Sequence, residues 1–187
     1  MSQLQAAKYI FANYNVGLVT ITLGRSDPIL NCFSNTGEAF VTCAKNENEI
    51  VKTNLKYTYL DPSIPILVSN TFAPVLGFRL PGAPTSLKDN ADIYITANFG
   101  INDAIANAVA SFQAENVLFV DLESDFNASD FSGTPSKNVV TLCQTTYVWT
   151  KDTNGNWIYN NLNSDRVFND IGSQISANIF YHALGKM

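Results

Sequence analysis

Charge is what this sequence has least of. Asp, Glu, Lys and Arg supply 14% of its 187 residues, against roughly 25% in ordinary soluble domains, and Lys and Arg nowhere cluster. With a net charge of -5, the chain lacks the basic footprint that binding to a phosphate backbone demands, so nucleic acid is not expected as a partner. Long apolar runs are missing too. No stretch approaches the roughly 20 residues that span a bilayer, and no membrane span is expected. The N-terminal MSQLQAAKYIFANYN lacks a basic start, an apolar run and a cleavage site. The expected location is therefore the cytoplasm or an assembled particle, with a secreted form already stripped of its signal left open.

Metal and cofactor chemistry is limited by the same scarcity. The single histidine, His182, and three separated cysteines with no CxxC spacing are a poor basis for zinc. No G-x-S-x-G elbow surrounds a serine, and the ten glycines are scattered, so NFGIN carries one glycine where a dinucleotide fingerprint needs three. No organic cofactor is expected. If Ser34-Asn35-Thr36-Gly37 turns a hairpin, Cys32 lies opposite Ala39 or Phe40, too far from Cys43 to bond with it. Buried free thiols in a reducing compartment are the expectation.

What the chain does have is a core and a neutral polar surface. Hydrophobic residues at 46% and aromatics at 12% exclude intrinsic disorder, and 187 residues suit a single domain over 1–187. Asparagine alone contributes 22 residues. A surface of amides and hydroxyls repels its own copies weakly, which favours assembly.

Periodicity sets the expected elements. Leu4, Ala7, Phe11 and Tyr14 fall at helical spacing. Strands are expected in VGLVTITLG, in a hairpin over PILNCFSNTGEAFVTC, in EIVKTNLKYTYL, and in IPILV and VLGFRL, whose prolines point to edges. DIYITANFG reads as a strand, Ile101 to Phe112 as a helix and VLFVDL as a buried strand, together a strand-helix-strand crossover. NVVTLCQTTYVWT and NWIYNNL form a hairpin about Asn154-Gly155, and Ser164 to Leu184 reads as a closing helix. The fold class expected is α+β, with a mainly antiparallel β-sheet core, one βαβ crossover and helices at both termini.

Two segments carry candidate chemistry. In DLESDFNASD, Asp121, Glu123 and Asp125 alternate after a strand, and with Asp103 they would offer oxygen ligands to a divalent cation beyond the strand ends. The calcium-loop pattern breaks at Phe126 and Ser132, and a polar loop leaving a strand accounts for the same spacing. The second segment, IPILVSNTFAPVLGFRLPG, is apolar and proline-interrupted. Pro65, Phe72, Pro74, Val75 and Phe78 are its candidate interface residues. Trp149 and Trp157 flank the Asn-Gly turn as cross-strand supports, and Asn127-Ala128-Ser129 is a glycosylation sequon usable only on export.

The leading expectation is a non-enzymatic protein that assembles as a homo-oligomer or as part of a larger particle, tail-like structure or crystalline body. A metal-assisted hydrolase or cation binder at residues 121–130 and a membrane-active protein using residues 64–82 are the alternatives.

Overall fold

A computed structural model describes residues 3–22, 63–71, 74–80, 82–89, 91–146, 149–159 and 168–187, with five isolated positions between 42 and 53. In chain order the elements are α1 (Gln3–Asn13), β1 (Val19–Thr22), β2 (Ile66–Ser69), a 3-10 helix (Pro74–Arg79), α2 (Thr85–Asp89), α3 (Ala91–Phe112), β3 (Val117–Val120), α4 (Leu122–Asp125), α5 (Lys137–Thr145), β4 (Trp149–Lys151), β5 (Trp157–Tyr159) and α6 (Asp170–Leu184). Helix and strand are mixed, as an α+β class requires. No described helix is long and apolar enough to cross a membrane.

The sheet corrects the expected fold. Its three strands, ordered β1-β2-β3, are all parallel, with Val19, Ile66 and Val117 in register at one end and Thr22, Ser69 and Val120 at the other. Parallel neighbours need long crossovers, and both connections here exceed 40 residues. The only antiparallel ladder among the described residues is the β4-β5 hairpin.

Two compact units make up the described chain: residues 1–70, 100–120 and 182–187 in the first, and 71–99 and 121–181 in the second. In the first, Ile66 and Val68 of β2 meet Ile101, Ile105, Ala108 and Val109 of α3, with Val19, Ile21, Val117 and Phe119 packed around them. These are alternate positions on three strands and i, i+4, i+7, i+8 positions on one helix, so two periodicities meet in one core. Each fully buried Ile or Val contributes roughly 1.5–3 kcal/mol by leaving water. At the amino end of the sheet, Asn116 Nδ2 donates to the Ile64 carbonyl at 2.8 Å, and Val19 N–H to the Pro65 carbonyl at 2.9 Å.

IPILV is thus the central strand and not an edge, and all four residues of β2 are buried. Its prolines do not interrupt the ladder, because Pro65 precedes the strand and Pro74 opens the 3-10 helix that replaces the strand expected at VLGFRL. DIYITANFG is the first half of α3. Its local alternation is overridden by the stripe Ala91, Ile95, Asn98 and Asn102, all buried, while Ile93 on the opposite side is 42% exposed. The crossover helix therefore begins ten residues earlier than the pattern implied, and β2 is the strand it leaves.

In the second unit, α5 replaces most of a strand expected from NVVTLCQTTYVWT. Asn138, Val139, Leu142, Cys143 and Thr145 are buried on one helical face, and Thr145 and Thr146 turn their hydroxyls back onto the Thr141 and Leu142 carbonyls. The hairpin about Asn154-Gly155 forms as expected, with Gly155 at φ +83. Helix α6 starts at Asp170 and not at Ser164, which lies outside the described residues. The hairpin expected within 28–43 lies almost wholly outside them. Within the expected strand 49–60, the two described positions, Glu49 and Thr53, are helical.

The cysteine expectation is half corrected. Cys143 is a free, buried thiol, but Cys43 is disulfide-bonded. Cys32 lies outside the described residues.

Candidate functional site at the carboxyl edge of the parallel sheet

All three strands of a parallel sheet end on the same edge, where each strand hands over to a loop. In the first unit this edge carries Thr22, Ser69 with Asn70, and Val120. Ser69 is wholly buried and Asn70 is 3% exposed. The Ser69 hydroxyl donates to Thr22 Oγ1 at 3.0 Å, and the Asn70 N–H donates to the Val120 carbonyl at 3.4 Å, carrying the ladder one residue past the strand. Buried polar side chains are the exception in a core. Here they stand at the end of the central strand, directly after three apolar residues with almost no exposure, Ile66, Leu67 and Val68.

The described strand ends thus offer hydroxyl and amide groups that can donate and accept, and the exposed carboxylate of Asp121 follows Val120 directly. Such groups can pair with a carbonyl, hydroxyl or amide of a ligand. Sequence reasoning missed Thr22, Ser69 and Asn70. The signal was present in two short apolar runs, each ending in a polar residue, but it becomes legible only once both runs are known to be parallel.

Of the acidic residues singled out from the sequence, Asp121 takes a local role. Asp121 caps α4, its Oδ1 accepting the Ser124 N–H at 3.1 Å. The chain turns helical at Leu122, so Asp121, Glu123 and Asp125 do not alternate along an extended strand. Asp121 and Asp125 are exposed and Glu123 is half-buried. Asp103 is exposed on α3, in the first unit. Among the described residues, no three His, Cys, Asp or Glu side chains group to hold a metal ion.

Two other carboxylates are held more firmly. Asp130 accepts the Ser132 hydroxyl at 2.6 Å and its N–H at 3.0 Å, and pairs with Lys137 at 3.2 Å. These contacts, the Ser132 hydroxyl first, lower its pKa from the ordinary 3.8. Asp152 closes the hairpin turn, accepting the N–H groups of Asn154 and Asn156 at 2.8 Å each. The Asn156 backbone bond is the main cause of its lowered pKa. Both are structural turns.

Three of the candidate interface residues, Pro74, Val75 and Phe78, share the 3-10 helix. Pro65 is half-buried, its carbonyl used by Val19, and Phe78 is half-buried in the 3-10 helix. Pro74 and Val75 open that same helix, and Phe72 lies outside the described residues. In the first unit, a mainly apolar groove of about 630 Å³ is lined by Ala106, Val109, Ala110, Val117 and Phe119, with Asn107, Gln113 and Glu115 as its polar members. It runs beside β3, which pairs only with β2 among the described residues. His182 is exposed near the end of α6.

Compared with known proteins, the chain matches no family model, and neither the curated proteins nor the solved structures contain a match.

Proposed function

We propose that the protein binds a polar small molecule over the carboxyl edge of its parallel sheet, with exposed Thr22 at the surface and buried Ser69 and Asn70 as the polar layer beneath it. The observation that carries this reading is the buried hydroxyl-amide pair at the end of the central strand, at the position where open parallel sheets present loops to ligands.

The test is a fragment screen by amide NMR with small sugars, polyols, esters and amides as probes. Shifts gathered on Thr22, Ser69, Asn70 and Val120, and lost in Ser69→Val with the remaining spectrum intact, are the expected result. Shifts scattered over the surface, or unchanged in the variant, would sink the proposal. An ester probe also reports turnover, because release of its acid separates a binder from a hydrolase.

A second reading, homo-oligomeric assembly, is favoured by the apolar groove beside β3 together with the low surface charge. With β3 pairing only with β2 among the described residues, this face offers both backbone pairing and apolar burial to a second copy.

A further inference from the structure

We infer that Asn127 is an acceptor site for an N-linked glycan. Asn127-Ala128-Ser129 is the chain's one N-x-S/T triplet. It falls on the turn after α4, where Asn127 adopts φ +54, a left-handed conformation that asparagine tolerates better than most residues. The Asn127 N–H donates to the Ser124 carbonyl at 2.9 Å, and its own carbonyl accepts the Asp130 N–H at 3.0 Å, so the backbone is fully engaged. Both functional side chains of the triplet are exposed, whereas Ala128 between them is 2% exposed. The Ala128 carbonyl accepts Asn138 Nδ2 at 3.1 Å, which pins the middle of the turn to α5.

Glycan transfer acts on the chain as it emerges, before this turn exists. What the folded structure decides is whether a glycan can remain without disrupting packing. Here buried Ala128 anchors the turn, and Asn127 and Ser129 on either side of it are exposed. A second and independent observation concerns the compartment. The disulfide at Cys43 fits an oxidising compartment, and export through such a compartment is the setting in which N-linked transfer takes place. In the reaction, Asn127 Nδ2 bonds to the anomeric carbon of a lipid-pyrophosphate-linked oligosaccharide. The bond from that carbon to the pyrophosphate oxygen breaks with its electron pair, and the amide gives up one proton.

The full chain, expressed behind a cleavable signal peptide in a mammalian secretory line, provides the test. The expected result is a secreted protein heavier by one glycan, whose digestion with a peptide N-glycosidase leaves Asp at position 127. Both Asn127→Gln and Ser129→Ala should lose the added mass, the second without changing the residue at positive φ. Secreted wild-type chain with the bare polypeptide mass would overturn the inference, as would added mass that survives in both variants.

Discussion

Gly172 sits so close to the end of α5 that a Cβ built on it would lie 2.2 Å from the Thr145 carbonyl oxygen and 2.7 Å from the Phe168 ring. The first turn of α6 can pack against α5 only because residue 172 has no side chain. Backbone cannot give way as a flexible side chain would. Gly172→Ala is expected to destabilise the fold by about 2 kcal/mol or more, the scale of an overpacked core, despite alanine's better helix propensity. A urea midpoint equal to or above wild type would show that the two helices separate at no cost.

Asn169 holds the same junction. Its Oδ1 accepts the Gly172 N–H at 2.9 Å as an N-cap, and its Nδ2 donates to the Gln144 carbonyl at 2.7 Å. Asn169→Ala removes both bonds and should cost roughly 1–2 kcal/mol. Asn169→Asp keeps the cap but loses the donor, so denaturation should place it between the two. An aspartate variant no better than alanine would show that the link to Gln144, and not the cap, is what counts.

The hairpin turn should respond to acid. Asp152 has a folded pKa below the ordinary 3.8, chiefly because Asn156 donates to its carboxylate. A depressed acid contributes stability that is fully present above its unfolded pKa and is lost as pH falls through its folded one. Carboxyl NMR titration should give Asp152 a midpoint below 3.8, with faster exchange of the Asn154 and Asn156 amides beneath it. A midpoint at or above 3.8 would contradict the turn geometry.

Cys143 is 2% exposed, and burial pushes its thiol up to about 12. Only a thiolate reacts readily. Iodoacetamide at mildly alkaline pH should leave Cys143 unmodified in the native protein and label it after unfolding, as read by peptide mass spectrometry. Rapid native labelling would mean that α5 opens locally.

Assembly through the groove beside β3 predicts a mass that rises with concentration in light scattering coupled to size exclusion. Ala110 lines that groove and is exposed, so Ala110→Arg should abolish the rise without unfolding the chain. A monomer at all concentrations, or association indifferent to Ala110→Arg, would remove the second reading.

Much of the fold was legible where one period ran unopposed. The helix opening at Gln3, the Ile101 to Phe112 stretch, β3 at VLFV and the hairpin about Asn154-Gly155 all followed from local spacing and turn chemistry. VLGFRL is among the segments misread, and two others, DIYITANFG and NVVTLCQTT, hold β-branched residues that suit either state. Burial against other elements decided them, and burial belongs to the whole chain. At 121–125 the helical turn capped by Asp121 takes the place of an extended strand, which local spacing alone left open.

Composition by itself determined that the chain folds, that its charge is sparse and that its polar groups are mostly amides and hydroxyls. Strand direction was decided only by tertiary structure. A run such as ILV is equally apolar in a parallel or an antiparallel sheet, because burial on both faces erases the alternation that would tell them apart. Direction in turn decides which residues share an edge. Thr22 and Ser69 lie 47 positions apart, and their hydroxyls meet at 3.0 Å only because β1 and β2 run the same way in one register.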